Sequence, residues 1–341
     1  MATIKDVAKK AGVSISTVSL VLNGSNAIKY ETRRKVLEAV SELDYRPNQS
    51  ARSLITKQNK VIGVVKATDV THEKAYSFDG VVDTYISEML RSIGAEIEKI
   101  GYSMLIDWCF GYGSLTELPP MVDKNKVDGV LFVGGFVSED LVKKIKEKGV
   151  PAVLVGTRSS SLDYVDTDPG IGLQTAAEYL MSMGHREIAF INGPEKVQST
   201  ARKLKGLMRA LDNRNIPFRE GLVENADFTG KGGYDGIKRI IERGYRPTAV
   251  IGATDCIAIG AMRYFYEQGI FCPKDISVMG FEDSILSEYA VPALTSISVD
   301  KERIGMEATR ALLNRIQNPK AKKVKVIVEP KLIVRDSVTA I

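Results

Sequence analysis

Over the first forty-odd residues, apolar positions return every three or four residues. They are Ile4, Val7, Ala8 and Ala11, then Val18, Val21 and Leu22, then Val36, Ala39, Val40 and Leu43. That is the helical period, and it predicts helices over 4–11, 15–22 and about 31–43. Thr3 and Asp6 have the spacing of a capping box at the first start. Gly12 gives the backbone freedom for a sharp turn, Ser14 is an N-cap for the second helix, and Asn23-Gly24 closes it. Beyond residue 60 the pattern changes. Near-continuous apolar runs at 61–65, 102–107, 128–135, 151–157, 187–193, 249–254 and 276–281 alternate with amphipathic stretches at 82–100, 138–148, 171–183, 199–213, 231–243, 257–268 and 301–316. Unbroken apolar strands spaced by helices predict parallel sheets covered on both faces. Two such sets are expected, roughly 61–162 and 163–291, with a ligand cleft between the carboxyl ends of their strands.

Composition narrows this picture. At 341 residues the chain exceeds one ordinary core, so two or three domains are expected. No apolar run is long enough to span a bilayer, and charge begins at Lys5 with no signal-peptide core before it. Cys109, Cys256 and Cys272 are odd in number and unclustered. Together these point to a cytoplasmic protein without disulfides or a membrane partner. Charge is uneven: residues 1–60 hold 11 Lys+Arg against 5 Asp+Glu, and the remainder holds 36 against 37. A basic head of two short helices joined through a Gly turn, on a near-neutral body, is the footprint of a helix-turn-helix module for nucleic acid.

Catalytic signals are missing. There is no G-x-S-x-G elbow, P-loop or strict G-x-G-x-x-G in the sequence. His72 and His185 are the only histidines and sit in no metal-ligand cluster, so neither cofactor nor metal is expected. His185 reads as part of a helix-to-strand turn. Asp163, Asp166 and Asp168 read as a lobe-crossing loop.

The stretches "TIKDVAKKAGVSISTVSLVLNG", "LDYRPNQSARSL" and "LIVRDS" resemble the lactose-repressor/galactose-repressor family of bacterial transcription regulators, and the likeness covers nearly the whole chain. It implies an N-terminal all-α helix-turn-helix domain over 1–46, a hinge helix and linker over 47–60, and an α/β periplasmic-binding-protein-like two-lobed sensor over 61–341. Lobe 1 is expected to take 61–162 and 295–324, and lobe 2 to take 163–291 and 325–341. The implied partners are double-stranded operator DNA, a second copy of the chain and a small-molecule effector of the sugar or sugar-derivative class. A phosphoprotein partner is an alternative.

By the same resemblance, Ile15, Ser16 and Leu20 fall where bases are read. Leu20 stands where Arg is common and cannot make that residue's bidentate bond to guanine. Thr3, Ser14, Thr17, Ser19, Asn23, Tyr45 and Asn48 complete the expected head contacts. Ala51, Arg52 and Leu54 belong to the implied hinge, where Leu54 wedges into the minor groove. In the cleft, Phe228 falls where an aromatic packs on the effector and Glu282 where an Asp usually bonds it. Thr254 replaces a frequent Asn, and Asp255 matches the Asp after it. Lys203 replaces a usual Arg, and Ser199 precedes it by one turn. Trp108 closes an apolar run at the expected cleft mouth and is a candidate stacking platform. A binding protein for transport or a sugar-processing enzyme would be the competing classes. The basic head argues against the first, and no motif supports the second.

Overall fold

The computed structural model describes residues 2–22, 25, 27–45, 58–68, 84–110, 117–134, 137–195 and 197–341. The chain divides into two compact units, Met1–Asn59 and Lys60–Ile341.

The first unit holds α1 (Ile4–Ala11), α2 (Ile15–Leu22) and α3 (Tyr30–Glu42). At its start the Asp6 carboxylate accepts from both the N–H and the hydroxyl of Thr3, each at 2.8 Å. Gly12 ends α1 with φ 65°, a left-handed conformation that favours glycine. Ser14 then caps α2, its Oγ accepting from the Thr17 N–H at 3.1 Å. Val7, Ala8, Val18, Val21, Val36 and Ala39 form the small core. The Lys10–Glu42 ion pair ties α1 to the end of α3.

The second unit contains two six-stranded sheets. Its strands are β1 (Val61–Thr68), β2 (Ser103–Phe110), β3 (Gly129–Val133), β4 (Ala152–Val155), β5 (Asp163–Thr167), β6 (Ile188–Asn192), β7 (Val223–Asn225), β8 (Ala249–Gly252), β9 (Ser277–Glu282), β10 (Thr295–Ser298), β11 (Lys325–Val328) and β12 (Lys331–Ile333). Its helices are α4 (Thr84–Lys99), α5 (Pro120–Asp123), α6 (Glu139–Lys148), α7 (Pro169–Ser182), α8 (Gln198–Asn213), α9 (Gly230–Glu242), α10 (Asp255–Glu267), α11 (Ile285–Tyr289) and α12 (Lys301–Gln317).

The first sheet runs β11-β5-β4-β3-β1-β2, and the second runs β12-β10-β9-β8-β6-β7. All pairings are parallel except β10 with β12. Alternate side chains of the first sheet feed separate cores. Ile62 and Val64 pack with Met89, Ile93 and Leu312, while Val65 packs with Met121, Leu141 and Ile145. In the second lobe a single cluster joins Phe190, Ile251, Met279 and Phe281 to the flanking helices. There α7 and α8 lie so close that a Cβ on Gly206 would meet the Gly170 carbonyl oxygen at 2.1 Å.

The expected lobe boundaries need correction. β5 pairs with β4 and β11 with β5, so 163–167 and 325–328 belong to the first sheet. β10 pairs with β9, so 295–298 stays in the second. The chain therefore crosses between lobes after β5, β10 and β11. "DYVDT" reads as a loop because aspartate is disfavoured in buried strands, but here arginines neutralise the charges. Arg315 grips Asp163 through two bonds of 2.8 and 2.9 Å. Asp166 accepts from Arg158 and Arg202, both at 2.7 Å.

Candidate functional site

In the head, α2 turns Val18 and Val21 inward and leaves Ile15 and Leu20 exposed, at 45% and 44%. Ser16 is exposed beside them and Ser19 is half-buried. The result is a protruding stripe of two apolar side chains flanked by hydroxyls. The Ser14 hydroxyl lies 2.7 Å from the Ser16 hydroxyl and 2.9 Å from that of Thr17. Ser14 and Thr17, expected among the head's DNA contacts, thus also build the first turn of α2. Thr3 is exposed, with its hydroxyl donated to Asp6. Tyr45 is half-buried against the head core. Asn23, Asn48, Ala51, Arg52 and Leu54, and with them the expected hinge helix, lie outside the described residues.

In the body, the two lobes meet at the carboxyl ends of their strands. The second-lobe side is built in layers. Lys203, on α8, is only 5% exposed. Its Nζ donates to the Ala253 carbonyl oxygen at 2.6 Å and sits 4.1 Å from the centre of the Phe281 ring. Burial holds its pKa down to about 8, against the pull of Glu282 and Asp255. Glu282, at the end of β9, is half-buried and has φ 99°, and Asp283 follows at φ 50°. Phe228 covers Gly193, where a Cβ would sit 2.3 Å from the ring. Ser199 is half-buried at the start of α8.

Two expected effector contacts, Asp255 and Thr254, also carry bonds within the fold. Asp255 is 1% exposed, and each of its oxygens is already engaged: Oδ1 accepts from the Ser296 hydroxyl and Oδ2 from the Ser284 N–H, both at 2.6 Å. Burial pushes its pKa up to about 6 despite these donors. It braces β8, β9 and β10 from behind the surface. The Thr254 hydroxyl accepts from the Ile257 N–H at 3.2 Å and caps α10, a task set by the backbone that follows it. Trp108 stands on edge strand β2, 45% exposed, opposite Lys66 of β1. The first-lobe segments 69–83, 111–116 and 135–136, which follow the carboxyl ends of β1, β2 and β3, lie outside the described residues.

Two cross-lobe networks escaped the sequence reading. Asp166 of the first sheet holds Arg202 of α8, and Arg158 joins Asp166 to Asp168, the N-cap of α7. Glu88 on α4 accepts from the Ile285 N–H at 3.2 Å and pairs with Lys301 at 3.0 Å. Lys301 also donates to the carbonyl oxygens of Glu282, at 2.5 Å, and Asp283, at 3.0 Å. No local pattern announces such partners, because they sit on different elements and, for Glu88 with Ile285 and Lys301, far apart along the chain. His185 is buried, with Nδ1 3.0 Å from the Thr248 hydroxyl and Nε2 3.0 Å from the Thr339 carbonyl oxygen, and burial lowers its pKa. Among the described residues no cluster of His, Cys, Asp and Glu could hold a metal, and no helix is long and apolar enough to cross a membrane.

Comparison with known proteins agrees with this architecture. Residues 3–48 match the family "bacterial regulatory proteins, lacI family", and residues 177–338 match the periplasmic binding protein-like domain. The chain is 34% identical to the HTH-type transcriptional repressor PurR of Edwardsiella ictaluri over 345 residues, covering 99% of this chain and 97% of that protein. Among solved structures, the Lac repressor dimer bound to operator and the anti-inducer ONPF superposes with a TM-score of 0.84 at 27% identity, covering 99% of both chains. The transcriptional regulator CelR in complex with cellobiose superposes with a TM-score of 0.70 at 28% identity, covering 99% of this chain and 100% of that one. The chain belongs to the LacI family of bacterial regulatory proteins and is a DNA-binding transcriptional repressor, not an enzyme.

Proposed function

We infer that the protein represses carbohydrate-utilisation genes as a cytoplasmic homodimer, and that a small sugar-like effector between its lobes sets its affinity for a pseudo-palindromic operator. The observation that carries this reading is the second-lobe cleft wall. It holds an aromatic ring, Phe228, packed over Gly193, a half-buried carboxylate, Glu282, and a buried cation, Lys203, whose charge that carboxylate favours. A sugar offers an apolar C–H face to a ring and hydroxyls to charged acceptors. The cellobiose complex of the similar regulator CelR supports the same class. Two-fold operators call for two heads, and the relative solved on its operator is a dimer. In the head, Ile15, Ser16 and Leu20 read base edges, and Leu20 favours a thymine methyl over guanine.

An effector that draws the lobes together changes the spacing of paired heads, and linkage makes the coupling reciprocal. The test has two steps. Full-length protein first selects its duplex from a random DNA pool. Binding to that duplex is then measured against cellobiose, ribose and other sugars, with nucleobases as the competing panel, because an aromatic face also stacks flat heterocycles. A sugar that shifts the operator Kd supports the reading, whereas a shift produced only by nucleobases replaces the effector class.

A further inference from the structure

We propose that the amino-terminal edge of the first sheet is a second contact surface for duplex DNA, gripping phosphates that flank the operator. The inference rests on the reading that the head binds an operator.

The sequence average hides this surface. Residues 61–341 hold 36 Lys+Arg against 37 Asp+Glu, yet the fold gathers lysines at one edge. Lys124 and Lys126 lie in the turn before β3, Lys320 and Lys322 in the turn before β11, and Lys325 opens β11 itself. All five are exposed. None of the five makes an ion pair with the described residues, whereas nearby Lys99 and Lys148 are paired with Glu96 and Asp123.

The plain alternative is that these lysines serve helix carboxyl ends, which point to this edge in any βα fold. That explains Lys99 and Lys148, in the last turns of α4 and α6. It does not explain Lys320, Lys322 and Lys325, which lie past the end of α12. The second lobe has the same architecture and uses its cations differently. There Arg219 pairs with Glu187 at 3.0 Å, and Arg246 donates to the carbonyl oxygens of Ile241 and Tyr245.

Connectivity favours DNA as the occupant. Lys60 precedes β1 at this same edge, and its amine sits over the Tyr102 ring. Residues 46–59 link it to the head, and a chain of that length spans at most about 50 Å. Duplex DNA offers one phosphate per ~1.7 Å of axis, so phosphates beyond the half-sites are within reach of the tethered edge.

The experiment uses the full chain and the duplex it selects from a random pool, in two lengths. One duplex stops at the half-sites, and the other carries about 20 base pairs of unrelated flank on each side. Wild type is compared with K124Q/K126Q/K320Q/K322Q/K325Q and with the milder K320Q/K322Q/K325Q, after thermal melting confirms that each is folded. For wild type, the plot of log K against log salt is expected to be steeper on the long duplex by about two to four units, near 0.9 per phosphate neutralised. The five-fold variant should lose that excess and keep its short-duplex affinity within about twofold. Wild-type binding that is indifferent to duplex length overturns the inference. Equal weakening on both lengths also overturns it, since a general field and not contact would then be at work. If selection returns no sequence, the operator reading falls and takes this inference with it.

Discussion

Lys301→Met tests how the lobes are held to one another. Lys301 is 9% exposed at the start of α12, a helix packed on the first sheet. Its ammonium reaches Glu88 of α4 and the backbone carbonyls of Glu282 and Asp283 in the second lobe. Both of those residues have positive φ, 99° and 50°, and non-glycine residues there cost about 1–3 kcal/mol each unless their surroundings impose the conformation. Removing one partner of a buried ion pair costs about 3–5 kcal/mol. Glu88 keeps 27% of its side-chain exposure and can rehydrate, so a net loss of about 2–4 kcal/mol is expected for the variant. At roughly 2 °C per kcal/mol for a unit of this size, the melting midpoint should fall by about 4–8 °C. Glu88→Gln keeps the shape and a hydrogen bond, and should cost about 1 kcal/mol. The assay is calorimetry of the full-length protein together with a distance distribution between spin labels on α6 and α9, one in each lobe. Lys301→Met should lower the midpoint and broaden the interlobe distances. A midpoint within 1 °C of wild type with an unchanged distribution would refute the idea that this ammonium fastens the lobes.

Further predictions concern the head and the buried acid. Ser14→Ala removes the cap of α2 and should cost about 1 kcal/mol of head stability, measured as local hydrogen exchange in α2. A value below about 0.3 kcal/mol would show that the hydroxyl cluster contributes little. Leu20→Arg should leave stability within about 0.5 kcal/mol, because the side chain is exposed. It should change the base preferred at one position per half-site by about 1–3 kcal/mol, read by repeating the duplex selection. Asp255 has its pKa raised to about 6, so the native state binds the proton more tightly than the unfolded chain. Its neutral form adds stability that is fully present below the ordinary Asp range and is lost as pH rises through about 6. The stability difference between wild type and Asp255→Asn should therefore move against wild type from about pH 4 to 6. A pH-independent difference over that span would show that Asp255 does not titrate there.

How much of this was legible depended on how local each cause was. α1 and α2 begin and end where the sequence places them, because Thr3, Asp6, Gly12 and Ser14 act on backbone within one turn. The β-branched runs mark most strands for the same reason. β5 does not read as a strand of the first lobe because its aspartates are neutralised by Arg158, Arg202 and Arg315, which approach from outside the strand. β7 and β10 are three and four residues long and too short for a periodic signal. In the cleft, family resemblance located Lys203, but only the fold shows it seated on the Ala253 carbonyl and the Phe281 ring. Asp255 matched a family position in sequence, while its burial, and hence its supporting role, follows from the packing of Ser284 and Ser296 around it. The lysine edge is the opposite case, since charge balance along the chain cancels what the fold concentrates.

The proposed recognition of DNA rests on the exposed stripe of α2. The direct test compares full-length wild type with Ser16→Asp/Leu20→Asp on the selected duplex and on a scrambled one at equal salt. Both positions are exposed, so the head should stay folded. Wild type should prefer its selected duplex by about 10³-fold or more, and the double variant should bind the two duplexes alike. A double variant that keeps the wild-type preference would place sequence recognition elsewhere in the molecule.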